Sequence, residues 1–161
     1  MKKYSKEELL NINKTIKKVI IVNLIIFIVL LSLFIYLLII ASRDYSLLFK
    51  VLLSLVLFLD GSSVIVCFIM YYHPLYILYR HINNVVSSNS INMTIKVDKI
   101  DDLSTITNGI RAYQIYTTVD NNKKILYLNP DFNTLDFDVN STLKVEVSNN
   151  YIKTYEVIDN E

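Results

Sequence analysis

The chain has 161 residues, of which 53% are hydrophobic and 19% are charged, and its formal net charge is +1. That length suits one modest domain, or a membrane anchor with one small domain. The near-zero net charge argues against a strongly basic nucleic-acid binder and against an acidic disordered chain. A single cysteine excludes an internal disulfide, and two glycines and two prolines leave no Gly-rich phosphate loop or Pro-rich linker.

Charge and hydropathy divide the chain into two halves. Residues 1–50 contain eight Lys or Arg against three Asp or Glu, a net charge of +5, whereas residues 51–161 contain eight against twelve, a net charge of −4. We predict four segments: a basic amphipathic N-terminal helix over 1–18, a two-span transmembrane hairpin over 19–72, a juxtamembrane helix and linker over 73–90, and a small all-β soluble domain over 91–161.

The first span is predicted over residues 19–40, which are 22 residues without a charge. As a helix they extend roughly 33 Å, enough for a hydrocarbon core of about 30 Å. Upstream, Ser5 and Glu8 have the spacing of a capping box, which predicts one continuous helix from about Lys6 into this span. A buried soluble helix and a cleaved signal peptide both fit less well, since the apolar stretch is too long for either.

The second span is predicted over residues 51–72, with Asp60 near its middle. A midplane Asp costs roughly 2.5–3.5 kcal/mol on insertion scales, and each Leu, Ile, Val or Phe contributes roughly 0.3–0.6 in the other direction. Thirteen such apolar residues lie between Val51 and Ile69, worth about 4–8 kcal/mol, so insertion is favoured. The alternative is a re-entrant hairpin that turns at residues 60–63.

An intramembrane carboxyl group is by default a candidate functional site. Matching depths in an antiparallel hairpin makes Ser32 the expected level partner of Asp60, with Ser62, Ser63 and Tyr36 as secondary candidates. Two roles are open for Asp60. One is a hydrogen bond that promotes association with another hairpin or a partner subunit, and the other is ion or proton conduction.

Basic and aromatic residues flank the two spans and are predicted to anchor them at the membrane interfaces. These anchors are Lys14, Lys17, Lys18, Tyr71, Tyr72 and Arg80. Six lysines precede the first span, whereas the connection after it holds Arg43 and Lys50 with Asp44. The positive-inside rule therefore predicts an integral membrane protein with both termini in the cytoplasm.

A short helix is predicted after His73 and Pro74, because Leu75, Leu78 and Ile82 recur at helical spacing. It could lie in the headgroups or extend the second span as a kinked stalk. His73 and His81 are eight residues apart with no acidic or thiol partner between them, so we interpret them as interface histidines without a metal. Cys67 is interpreted as a small buried hydrophobe.

From Ile91 the hydrophobic period changes to two, which predicts strands. The predicted strands are 91–97, 113–119, 125–128, 135–139, 143–147 and 151–158. Turns are predicted at 108–109, 120–122, 129–131 and 148–150 from their Asn, Asp, Gly and Pro residues. The fold class is thus a membrane α-helical hairpin of two transmembrane helices followed by a small all-β domain, a barrel or sandwich of about six short strands. An OB- or SH3-like barrel is the specific expectation.

The composition of the soluble half disfavours several functions. Seven Lys or Arg against eleven acids in residues 91–161 give the wrong sign for nucleic acid. Asp98, Asp101 and Asp102 lack the order of a calcium loop, and no nucleophile has a base beside it in sequence. We therefore predict no enzyme activity, no metal and no cofactor.

The predicted function is a membrane-anchored protein that presents its small cytoplasmic β-domain as an interaction or assembly module. Its expected partners are the lipid bilayer and a protein partner or a second copy of itself. The alternative is an accessory subunit, or a small ion- or proton-conducting membrane protein, that uses Asp60.

Overall fold

A computed structural model describes residues 4–42, 47–106, 109–119 and 122–159, without the side chains of 104–106 and 159. The elements in order are α1 (Lys6–Ala41), α2 (Leu47–Val66), a π-helical segment (Cys67–Tyr72), α3 (His73–Ser87), β1 (Ile91–Ile106), β2 (Ile110–Val119), β3 (Asn122–Leu128), β4 (Thr142–Ser148) and β5 (Tyr151–Asp159). The chain forms two compact units, one of residues 12–76 and one of residues 1–11 with 77–161.

The first long helix begins where its capping signal predicts. The Glu8 amide donates to the Ser5 hydroxyl oxygen over 3.2 Å, which satisfies one of the free N–H groups of the first turn. The helix then continues to Ala41. In its most apolar 18-residue stretch no residue is buried, and most of the Leu, Ile, Val and Phe side chains there are exposed.

The second long helix runs without a break through residues 60–63. Gly61 lies inside α2, and a Cβ at that position would meet nothing within 4 Å. The turn that a re-entrant hairpin requires is therefore absent at this place. Helical structure extends from Leu47 to Ser87, and it is long and apolar enough to cross a membrane, as α1 is.

A π-helical segment precedes Pro74. The His73 amide donates to the Phe68 carbonyl oxygen, five residues back, in place of the usual partner four residues back. Proline has no N–H, and its ring clashes with the carbonyl group four residues earlier, so a widened turn before Pro74 accommodates it. Helical structure thus continues from the second predicted span into α3, as the stalk alternative expects.

The β-strands form a closed five-stranded barrel in the order β1-β2-β3-β5-β4. β1 closes it, because residues 91–96 pair with β4 and residues 97–106 pair with β2, both antiparallel. Register shifts between Val97 and Lys99 and between Asp101 and Ser104 bend this long strand. Alternating inward side chains fill the barrel. The core consists of Ile95, Val97, Ile115, Leu126, Leu128, Phe137, Leu143, Val145, Val147 and Ile152.

The barrel has five strands where the sequence predicts about six. The predicted fourth strand, over residues 135–139, is irregular, and the described structure pairs it with no other strand. Its alternation has another cause: Phe137 is buried in the core and Leu135 packs against it. The segment is a loop whose Leu135 and Phe137 side chains pack into the core.

Candidate functional site

Asp60 is the most unusual polar group in the apolar helices. It lies in α2 and is half-buried, and its Oδ1 atom is buried with no hydrogen-bond partner among the described residues. A buried polar atom without a partner is costly, and natural structures contain few of them. Asp60 therefore has the capacity to accept a hydrogen bond from a group outside the described chain.

The three serines predicted near Asp60 direct their hydroxyl groups to local backbone. Ser32 donates to the Ile28 carbonyl oxygen over 2.7 Å, Ser62 to that of Leu59 over 3.0 Å and Ser63 to that of Asp60 over 2.8 Å. Such bonds to the preceding turn satisfy a hydroxyl group inside an apolar helix. The serine hydroxyls are thus engaged within their own helices, and none of these bonds reaches the Asp60 carboxyl group.

The predicted interface anchors are mostly exposed. The side chains of Lys14, Lys17, Lys18 and Arg80 are exposed, and Tyr71 is 57% exposed. Tyr72 is half-buried and stacks between neighbours, with ring centroids 5.5 Å from Phe68 and 5.9 Å from Tyr76. This aromatic column follows one side of the helix across the π-helical segment.

Two apolar cavities lie between α1 and the helical stretch around Cys67. They measure about 460 and 450 Å³, and Val19, Asn23 and Cys67 line both. The first also contacts Lys18 and Tyr71, so it ends at a basic and an aromatic side chain. The cavities place the first turns of the apolar stretch of α1 beside the end of α2, as expected for antiparallel helices.

His81 lies in an aromatic cluster that the sequence analysis missed. Its Nε2 atom is 3.0 Å from the Tyr4 hydroxyl oxygen, and its ring meets Tyr151 edge-on at a centroid distance of 4.4 Å. Tyr4 also stacks on Phe132 at 4.2 Å. His81 is 8% exposed, and burial lowers the pKa of its imidazole from 6.5 to about 4. Burial likewise raises the pKa of Tyr4 well above its usual range.

The cluster encloses the His81 imidazole with aromatic rings and bonds it to the Tyr4 hydroxyl group. The cluster joins residue 4 to α3 and to the barrel, since Phe132 follows β3 and Tyr151 begins β5. The sequence analysis interprets His81 as a histidine at the membrane interface, whereas the structure buries it within this cluster.

A polar groove of about 590 Å³ lies beside this cluster and is lined by Tyr4, Phe132, Glu146, Lys153 and Tyr155 among others. Two of its charged groups, Lys153 and Glu146, are paired with each other. Lys153 Nζ is 3.0 Å from Glu146 Oε1 and 2.9 Å from the Ser90 hydroxyl oxygen. The bond from Lys153 lowers the pKa of Glu146. The groove thus offers few unengaged polar atoms.

No group of three or more His, Cys, Asp or Glu side chains is placed to hold a metal ion in the part of the chain that the structure describes. Asp101 forms an ion pair with Lys99 at 2.6 Å, and Asp98 accepts a hydrogen bond from Thr118 at 2.8 Å. These partners engage two of the three carboxylates considered for calcium.

Comparison with protein-family models, with curated proteins and with solved structures finds no match to this chain.

Proposed function

We propose that the chain is a two-span membrane anchor that presents its β-barrel in the cytoplasm as an interaction or assembly module. The observation that carries this proposal is the exposure of the apolar helices. The most apolar 18-residue windows of the two helical stretches are 0% and 6% buried, so their apolar side chains have no protein core to enter. A bilayer is the environment that such surfaces favour.

The proposed orientation places both termini inside, because six lysines precede the first span. Single cysteines at positions 45 and 122, in a Cys67→Ala background, test it in intact cells with a membrane-impermeant thiol reagent. We expect labelling of Tyr45→Cys from outside, and labelling of Asn122→Cys only after the membrane is permeabilised. The reverse pattern would overturn the orientation, and labelling of both sites would overturn the hairpin.

The module role is supported by a barrel whose core is complete without the apolar helices. The core residues come from the strands and from Phe137 of the 129–141 connection. We further propose that the barrel is of the OB type, because five strands close through β1 pairing with both β2 and β4. The acidic balance of residues 91–161 argues against nucleic acid as the ligand.

Purification of the full chain in mild detergent tests the module role. The expected result is a stoichiometric protein partner, or a homo-oligomer whose mass is measured by light scattering. A monomer with no bound protein, obtained under several mild detergents, would contradict it.

A second candidate function is conduction that uses Asp60, and the unpartnered Oδ1 atom favours it. Ion or proton flux in reconstituted vesicles discriminates the two. Conduction predicts that Asp60→Asn abolishes flux, whereas Ser54→Ala, at an exposed serine of the same helix, leaves flux unchanged. If vesicles with the unaltered chain show no flux above empty vesicles, the conduction hypothesis fails.

A further inference from the structure

The barrel closes between β3 and β5 through a short seam, which leaves most of the β3 edge on that side unpaired among the described residues. β3 pairs with β2 from Val119↔Asn122 to Tyr113↔Leu128, but its ladder with β5 consists of one described pair, Tyr127↔Tyr151. At that pair the Tyr127 amide donates to the Asn150 carbonyl oxygen over 2.8 Å. Within the described residues, the backbone over 123–126 therefore pairs on the β2 side alone.

The free backbone groups can be assigned to individual residues. Along a strand, successive residues direct their N–H and C=O groups to opposite sides. Because the Tyr127 amide points toward β5, the amides and carbonyls of Ile125 and Lys123 point the same way, into the opening. These two residues present the donors and acceptors that an added strand requires.

The opposite side of the opening is already covered. Asn133, from the connection after β3, donates through Nδ2 to the Ile152 carbonyl oxygen at 3.1 Å and to that of Lys153 at 3.2 Å. The edge of β5 is thus blocked at these residues by a side-chain amide. This leaves β3 as the edge that can accept another chain.

A cleft of about 370 Å³ lies beside this open edge. Apolar side chains of Ile91, Met93, Leu126 and Val147 line it, and Ile91 is 62% exposed. Its polar lining residues include Lys124 and the two asparagines of the β4–β5 turn, Asn149 and Asn150. Lys123 and Lys124 are both exposed, and exposed lysines on an edge strand discourage pairing with another basic strand.

We propose that the open edge of β3, over residues 123–126, binds an extended segment of a partner protein in which acidic and apolar residues alternate. The segment adds as a strand through the free groups of Lys123 and Ile125. Its apolar side chains enter the cleft, which Lys124 lines, and its carboxylates lie on the opposite face of the strand, beside Lys123. This inference rests on the proposed function, for which it names the surface and the kind of partner.

Charge separates this partner from a second copy of the chain. A symmetric antiparallel pairing of two β3 edges would bring Lys123 and Lys124 of one copy close to the same lysines of the other copy, on both faces of the paired strands. Like charges opposite each other on paired strands are destabilising. An acidic segment is attracted to these lysines.

The test uses the full chain in detergent micelles and two fluorescein-labelled octapeptides, one alternating Val with Glu and the other alternating Val with Lys. Fluorescence anisotropy should show the Glu peptide binding at least about tenfold more tightly, which corresponds to about 1.4 kcal/mol. The double variant Lys123→Glu/Lys124→Glu should reverse this preference. Lys144→Glu, at an exposed lysine of β4, is the matched control and should leave the preference unchanged.

The variant Ile125→Pro tests the backbone contribution, because it removes an N–H that points into the opening and leaves the β2 ladder intact. This variant should no longer bind the Glu peptide, whereas its circular dichroism spectrum should match that of the unaltered chain. If this variant fails to fold, the comparison of Lys123→Glu/Lys124→Glu with Lys144→Glu still tests the inference. Equal binding of both peptides, or no binding of either up to about 1 mM, would overturn the inference.

Co-purification separates this inference from the proposed function. A protein partner retained equally by the unaltered chain and by Lys123→Glu/Lys124→Glu would support the module role and refute the β3 edge as its surface. A partner lost with the double variant but kept with Lys144→Glu supports both.

Discussion

Protonation of His81 should destabilise the barrel unit. Burial lowers the pKa of His81 in the folded state to about 4 from the ordinary 6.5, so the unfolded chain binds this proton more readily than the folded chain. Stability is therefore fully present above pH 6.5 and declines as the pH falls toward 4. Between about pH 7.5 and about pH 5 the linkage relation gives a loss of about 2 kcal/mol in the free energy of unfolding.

Chemical denaturation of the full chain in detergent, followed by tyrosine fluorescence, measures this loss. Carboxyl groups with ordinary pKa values remain largely ionised at about pH 5, so they contribute little over this interval. His81→Gln should remove most of the pH dependence, whatever its effect on absolute stability. His73→Gln, at an exposed histidine, should retain it. If the unaltered chain and His81→Gln lose the same stability over the interval, the assigned burial of His81 is refuted.

Substitutions at two further sites of the same unit, Ser148 and Asn150, are tested by denaturation. Ser148 is fully buried, and its hydroxyl donates to the Val85 carbonyl oxygen at 2.8 Å, so Ser148→Ala should cost about 1–3 kcal/mol. Ser87→Ala, which removes an exposed bond to Asn83, should cost less than about 0.5 kcal/mol, and equal losses would contradict the assignment. Asn150 has a φ of 66°, so Asn150→Ala should cost about 1–2 kcal/mol whereas Asn150→Gly should cost little. A smaller loss for Ala than for Gly would exclude the left-handed turn.

The sequence predicts those parts of the fold that depend on interactions between residues close together in the chain, such as a helix cap, an apolar helix and a tight turn. The Ser5–Glu8 spacing locates the start of α1, and the uncharged stretch over 19–40 determines its apolar character. The asparagines at 149 and 150 predict the β4–β5 hairpin, and both adopt positive φ there. Asn tolerates this conformation better than other residues with a side chain, which explains why the turn is readable from sequence.

The strand count is wrong because period-two alternation reports burial and does not report pairing. Residues 135–139 alternate since Leu135 and Phe137 face the core, although the backbone there is irregular. Conversely, β1 continues to Ile106, whereas its predicted end is residue 97. The prediction ends the strand too early because register shifts after Val97 and Asp101 interrupt the alternation of side chains. A bulge moves the next side chain to the other face, so the periodic signal is lost while pairing continues.

The cluster around His81 is not predictable from the sequence, for a different reason. Its members lie at positions 4, 81, 132 and 151, so the bond from Tyr4 to His81 spans 77 residues. Nothing in the spacing of these residues indicates that they meet, because the barrel topology brings them together. The open β3 edge likewise results from the tertiary arrangement of the strands. β5 pairs with β3 at Tyr151 and pairs with β4 along the rest of its length. The contacts that bury His81 and the proposed docking edge therefore depend on pairings between residues far apart in sequence, which local sequence patterns do not encode.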